Sequence, residues 1–453
     1  MSTKHYSHAR KTALSAVAAG STLLMLTACS GGVTGGGDAA PADSGGECES
    51  TIDVLMHAHE PMEAGLRAVA AAFEEDHPGA KVEFTFIPNE NFANVRNARL
   101  TAGDVDITEG NSSGATRQLP AYVSGAEESD WVRGLKAGQW TELSGDWLDN
   151  WSPGVRDALQ WEGKDYSVPT GISYVTGVYY NKDIFAANGI ELPTTFDEFV
   201  AAAEKLQRAG ITPLIMGGAE KWPVGLLMEG VASTSLDDME AFDEGLWTGG
   251  AKFTDPEAVR VLEKIQTLYS FAEPTFPGIS SATVTGRFTA GEAAMLPDGS
   301  WGAAGIEEQN PDFEWGYFPL PGSDNAEDNQ LLRGKLETNM AIPANAKDRG
   351  CAEDFLEFYS QPEQYQTFIT DAGFLPAMPD IRSTDFLESI APYFGEEGYA
   401  PSWGGVFHPN PAAGQNVRVG FAYDQIAPMG TESDMEKLAQ TSQDSWDAAL
   451  PND

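Results

Sequence analysis

Positive charge is scarce in this 453-residue chain. Its 27 Lys and Arg stand against 68 Asp and Glu, a formal net charge of −41. Such a surface repels nucleic acid and anionic lipid and favours neutral or cationic ligands, although acidity alone names none. Histidine and cysteine are also rare, six and three residues, and no Cys/His spacing fits zinc. Neither a P-loop nor a Gly-x-Gly-x-x-Gly turn after a strand occurs, so nucleotide chemistry is not indicated. No Gly-x-Ser-x-Gly elbow appears, and Gly299-Ser300-Trp301 lacks the context of a serine nucleophile. Internal repeats are absent, which removes the usual ground for a scaffold or adhesion protein. No metal or other cofactor is expected.

What is present begins with an export signal. His8-Ala9-Arg10-Lys11 is basic, and Ala13 to Ala28 is apolar but too short for a mature membrane anchor. The run ends Leu26-Thr27-Ala28-Cys29, the pattern of a bacterial lipoprotein signal covering residues 1–28, with the Cys29 thiol as diacylglycerol acceptor. Residues 29–47 hold almost no large side chain and read as a flexible tether. Cleavage removes Lys4, Arg10 and Lys11 and no acid, so the mature balance is 24 − 68 = −44. Cys48 and Cys351 then remain in an oxidising compartment. They can join the start of the fold to a distant helix as one disulfide, or stand as two free thiols.

The length calls for two or three domains. Thr51 to Met56, Lys81 to Ile87 and Gly103 to Ile107 read as strands, separated by helical patterns over Pro61 to His77 and Phe92 to Ala102. That alternation is the grammar of a parallel sheet in an α/β domain. Ligands of such sheets bind beyond the carboxyl ends of the strands, which puts the His57–Glu60 and Glu109–Asn111 loops on one rim. Five tryptophans between Gly125 and Trp161 read as packing. From Asp165 to Phe185 the chain is dense in Val, Thr and Tyr but broken by Pro169 and Gly171. A strand that bends there and resumes suits a crossing between domains. Asn181 caps a short helix after it. Thr195 caps an amphipathic helix over Phe196 to Ala209, Ile211 to Met216 reads as a strand, and Asp255 caps the helix from Pro256 to Tyr269.

The run VPTGISYVTGVYYNKDIF, then LPTTFDEF and AGITPL, resembles the crossover region of family 1 extracellular solute-binding proteins. These are the maltose-binding-protein-like receptors of ABC sugar importers. FTAGEAAMLPDGSWGAAGI and FEWGYFPLP are similar to further elements of that family. The resemblance implies two α/β lobes, each on a mostly parallel sheet, hinged about a ligand cleft. Lobe one would comprise 48–170 plus 330–373, and lobe two 171–329 plus 374–453. It further implies a monomeric, non-catalytic receptor on the outer face of the cytoplasmic membrane, delivering sugar to ABC permease subunits. The acidic, Ala/Gly-rich composition and Cys29 fit a Gram-positive surface.

Recognition of a neutral oligosaccharide needs aromatic rings for the apolar sugar faces and fixed polar groups for the hydroxyls. Loop ends offer Tyr174, Trp222, Trp301 and Trp403 as rings, and His59, Glu60, Glu109, Asn111 and Asp298 as polar partners. Trp301 leads, because PDGSW is similar to the family element that stacks on sugar. The family usually has an aromatic or acid where this chain reads Glu109-Gly110-Asn111-Ser112-Ser113, so the cleft is expected to be roomier there. The rival is a secreted glycoside hydrolase, since 68 carboxylates easily supply an acid pair.

Overall fold

A computed structural model describes residues 48–111, 116–123, 128–382, 384–395 and 400–450. The signal, Cys29, the tether, Ser112 and Ser113 lie outside the described residues.

Among the described residues, eleven strands form three sheets in two lobes. The first sheet contains β1 (Thr51–His57), β2 (Lys81–Ile87), β3 (Ile107–Glu109), β4 (Ser167–Pro169) and β10 (Asn339–Ala341), in the order β2-β1-β3-β10-β4. β1 lies parallel to β2 and β3, in register from Thr51 opposite Lys81 to His57 opposite Ile87. Ile52, Val54 and Met56 point inward from β1 against Met62, Leu66, Val69 and Phe73 of the helix Glu60–Asp76. β10 returns antiparallel to β3 and β4.

A small linking sheet joins β5 (Ile172–Tyr174), β9 (Arg333–Leu336) and β11 (Ala400–Pro401). The Pro-Thr-Gly interruption therefore falls where the chain leaves β4 and enters β5. Beyond a second break it enters β6 (Gly177–Asn181), the central strand of the other lobe, flanked by β7 (Met295–Pro297) and β8 (Trp315–Pro319). Asn181 then caps the helix Lys182–Ala187 by accepting from the Ile184 amide at 2.9 Å.

Lobe two departs from the expected mostly parallel sheet: β6 is antiparallel to both neighbours. The reason is geometric. β6 starts at the link and runs outward, whereas β7 and β8 return toward it, pairing Pro297 with Val178 and Pro319 with Gly177. Their carboxyl ends consequently deliver Asp298–Trp301 beside the link. Ile211 to Met216 forms no strand; Leu214 makes single bridges to Ala272 and Met295. Pro213 has no amide hydrogen to extend that pairing.

Two further sets of contacts tie distant segments together. Val123 packs in the second lobe's core with Leu119 and Tyr122 against it, and the Tyr122 hydroxyl donates to Asp243 at 3.0 Å. Phe374 to Met378 remain with the first core, and the Ala377 carbonyl accepts from the Ser152 amide. All five tryptophans between Gly125 and Trp161 are buried. Cys48 and Cys351 form a disulfide that ties the start of the fold to the helix Arg349–Tyr359, 303 residues away.

Candidate functional site

The first wall is the carboxyl end of β1. His57 is fixed twice by Glu109: its amide donates to Oε1 at 2.6 Å, and its Nδ1 lies 2.5 Å from the same oxygen. Burial opposes a charge on His57, but the hydrogen bond and charge of Glu109 outweigh it and leave the pKa raised. Arg96 holds the end of β3 through the Glu109 and Gly110 carbonyls. His59 stacks on Phe374 with centroids 5.5 Å apart, and its Nδ1 has no hydrogen-bond partner in the protein. Burial lowers its pKa to about 4, so near neutral pH the ring offers one donor and one acceptor.

The opposite wall is the helix Trp222–Ser235. Trp222 stands at its first position, 42% exposed, with its ring centroid 6.2 Å from that of Trp301 at 54°. Trp301 follows β7 and precedes the helix Gly302–Gln309. Two turns beyond Trp222, Glu229 points into the same cavity, consistent with seven residues of helical rise. Its Oε2 accepts from the Gly404 amide at 2.7 Å. A Cβ at residue 404 would lie 2.6 Å from Glu229 Oε1, so a side chain there would displace the carboxylate. Burial pushes the Glu229 pKa up, opposed by that amide.

The floor is the linking sheet. Lys335 on β9 approaches Glu337 at 3.5 Å. Burial works against the Glu337 carboxylate, but the charge of Lys335, the Ser173 hydroxyl and the nearby His57 and His59 together outweigh it and keep the pKa lowered. Oε1 of Glu337 finds no hydrogen-bond partner. Arg117 reaches the cavity with its guanidinium donating to the Val406 and Phe407 carbonyls. With Arg418 and Tyr423 these groups line a cavity of about 480 Å³. A second chamber of about 380 Å³ shares His59, Trp222 and Trp301 and adds Glu60 and Asp298.

The sequence-derived candidates therefore divide. Trp222, Trp301 and His59 face the main cavity, while Asp298 and Glu60 face the adjoining chamber. Glu109 is completely buried and acts on His57 from below, and the Asn111 amide donates to Asn339 Oδ1. Neither lines the cavity. Trp403 is in the core instead of the wall: it is fully buried against Phe242, Phe407 and Phe421, with its indole N–H satisfied by the Val419 carbonyl. Its neighbours Ser402 and Gly404 take the wall position. Tyr174 is likewise fully buried, against Phe394. Sequence reasoning missed Arg117, Glu229, Lys335, Glu337 and Tyr423. Glu229 had a signal, being the one charge in the apolar helix WPVGLLMEGVASTS.

Two α/β lobes joined by short linking strands, with a cavity walled by both and floored by the link, define a ligand-capturing receptor fold. The chain belongs to the bacterial extracellular solute-binding protein family, whose profile matches residues 59–366. This is a family of receptors for solutes outside the cell, not of enzymes. A similar curated relative, the multiple sugar-binding protein of Streptococcus mutans, is 26% identical over 381 residues, 80% of this chain and 81% of its own. The xylose/arabinose-binding protein of Haloferax volcanii is 22% identical over 88% of this chain and 85% of its own. Among solved structures, SBP RafE in complex with raffinose superposes with a TM-score of 0.71 at 21% identity, covering 88% of this chain and all of that one. A chitin oligosaccharide binding protein gives 0.69 at 21%, covering 88% and 98%.

Proposed function

We propose that this protein binds a neutral oligosaccharide between its lobes and delivers it to the membrane subunits of an ABC importer. The observation that carries this reading is the Trp222–Trp301 pair, set above a floor of fixed charged groups. Indole faces cover the apolar C–H surface of a pyranose. Glu229, Lys335, Glu337 and the neutral His59 supply donors and acceptors for the hydroxyls, including two polar atoms left without partners by the fold itself. The sugar-binding names of the relatives and neighbours point the same way.

Binding is coupled to closure. Ligand that touches the His57–His59 wall and the Trp222–Trp301 wall together favours the closed arrangement over open ones. The chain transforms nothing: it presents sugar to a permease whose ATPase lies in the cytoplasm. A monomer held by a lipid on Cys29, on the outer face of a Gram-positive membrane, fits the signal and tether in the sequence.

The test is a thermal-shift screen with raffinose, stachyose, chitin oligosaccharides and xylo-oligosaccharides, followed by chromatography of the recovered sugar. A ligand at 100 times its Kd stabilises the fold by about 2.7 kcal/mol, which is easily seen. One class raises the melting temperature and is recovered intact. Shortened sugar would establish the hydrolase reading instead, and a shift with none of these sugars would remove the oligosaccharide assignment.

A further inference from the structure

Trp222 is an unusual residue to find so exposed at the start of a helix. No helical turn precedes it, and the backbone that presents it is strained. Lys221, just before it, has φ 64° and ψ −46°, outside the regions open to a side-chain-bearing residue. The Trp222 amide donates to the Glu220 carbonyl at 2.8 Å, closing a three-residue turn of the rare γ class. Strain of this kind persists only where the surroundings over-determine it.

Here the side chains of Glu220 and Lys221 are both anchored, each to a different segment. The Glu220 carboxylate accepts from the Ser280 hydroxyl at 2.7 Å and the Ser281 amide at 2.9 Å. Lys221 donates to Asp424 Oδ2 at 2.9 Å. Asp424 follows Tyr423, whose ring lies on the cavity wall against Gly225, one turn along the helix from Trp222. The Lys221 side chain is 57% exposed, so the pair adds little to fold stability. Its geometric effect is larger: it fastens the strained turn to the segment that carries Tyr423.

From this we infer that Lys221 and Asp424 are positioning residues that set the direction of the Trp222 ring in the cleft. They act as a latch on a sugar platform without touching the ligand. The platform role of Trp222 rests on the carbohydrate reading above; the latch itself does not.

The experiment is therefore made first without sugar. In protein labelled with 5-fluorotryptophan, the Trp222 resonance is assigned by its disappearance in Trp222→Phe. Lys221→Met and Asp424→Asn shift or broaden that one line and leave the melting temperature unchanged, whereas Lys221→Arg, which keeps the pair, restores it. An unmoved Trp222 line in both Lys221→Met and Asp424→Asn overturns the latch. Titration with raffinose and with chitin trisaccharide then tests the consequence. For whichever binds, Lys221→Met weakens affinity by roughly three- to tenfold, and has no added effect in a Trp222→Ala background. Equal losses in both backgrounds would show that Lys221 acts independently of Trp222 and would also overturn the proposal. If no sugar of the thermal-shift screen binds, the carbohydrate reading fails while the fluorine line still decides the latch.

Discussion

At the scale of single residues, the site places ionisable groups where water is partly excluded and then limits the damage with backbone amides. Asp298 is the clearest case. Burial raises its carboxyl pKa to about 7, opposed by the Gly299 amide and by a hydrogen bond with Trp301. An acid with a raised folded-state pKa holds a proton that the unfolded chain has lost, so this group makes stability fall as pH rises from about 4 to about 7. Asp298→Asn removes that slope. Urea unfolding at both ends of the window is expected to show little difference at the acid end. Near neutrality the variant gains roughly 1–3 kcal/mol, a figure reduced for the partial exposure of the group. Parallel stability curves for the two proteins would mean that the carboxyl is not held protonated by its surroundings. His59 works with the opposite sign. Its lowered pKa contributes stability that is present above pH 6.5 and is lost as pH falls toward about 4.

At the scale of elements, the loop ends are placed by close contacts that leave no slack. Gly177 opens β6, and a Cβ there would fall 2.1 Å from the Tyr317 ring. The Tyr317 hydroxyl in turn donates to the Asp298 carbonyl at 2.8 Å. Gly177→Ala is therefore expected to cost about 1–3 kcal/mol by overpacking, read as a lower urea midpoint at unchanged slope. The disulfide acts over a longer span. Replacing Cys48 and Cys351 together by Ala is expected to lower stability by roughly 2–5 kcal/mol, seen as a matching loss when the native protein is reduced.

Elements were also where the sequence was easiest to read. β2 alternates from Lys81 to Phe86 and appears at its expected bounds, and Asn181 and Thr195 cap the helices they were expected to cap. Asp255 precedes its helix but turns its carboxylate back to the Lys252 amide. The site was less legible because burial of a ring depends on distant segments. Trp403 and Trp222 each begin a helix near a glycine-rich turn. The first is enclosed by Phe242 and Phe421 from elsewhere in the chain, and the second is not. Lys335 and Glu337 carry no local mark either, because the cavity they floor exists only once β9 pairs with β5.

At the scale of the whole molecule, the mature chain carries a large negative charge while the cavity mixes Arg117, Lys335 and Arg418 with Glu229 and Glu337. A neutral ligand would feel little of the surface field. Its affinity is accordingly expected to change less than about twofold between 0.01 M and 0.15 M salt, although the Debye length falls from about 30 to 8 Å. A steep salt dependence would point to an ionic ligand. For the proposed lipid anchor, Cys29→Ser is expected to release the protein from the membrane fraction into the medium. Continued retention would assign attachment to something other than the lipid.

In the proposed function, the tryptophan pair between the lobes grips an uncharged sugar and leaves it unaltered. Calorimetric titration of the wild type and of Trp301→Ala with the oligosaccharide selected by the screen tests it most directly. One site per chain is expected in the wild type. In the variant, binding is expected to weaken by on the order of 1–3 kcal/mol with an unchanged melting temperature. Equal affinity in the two proteins would contradict it.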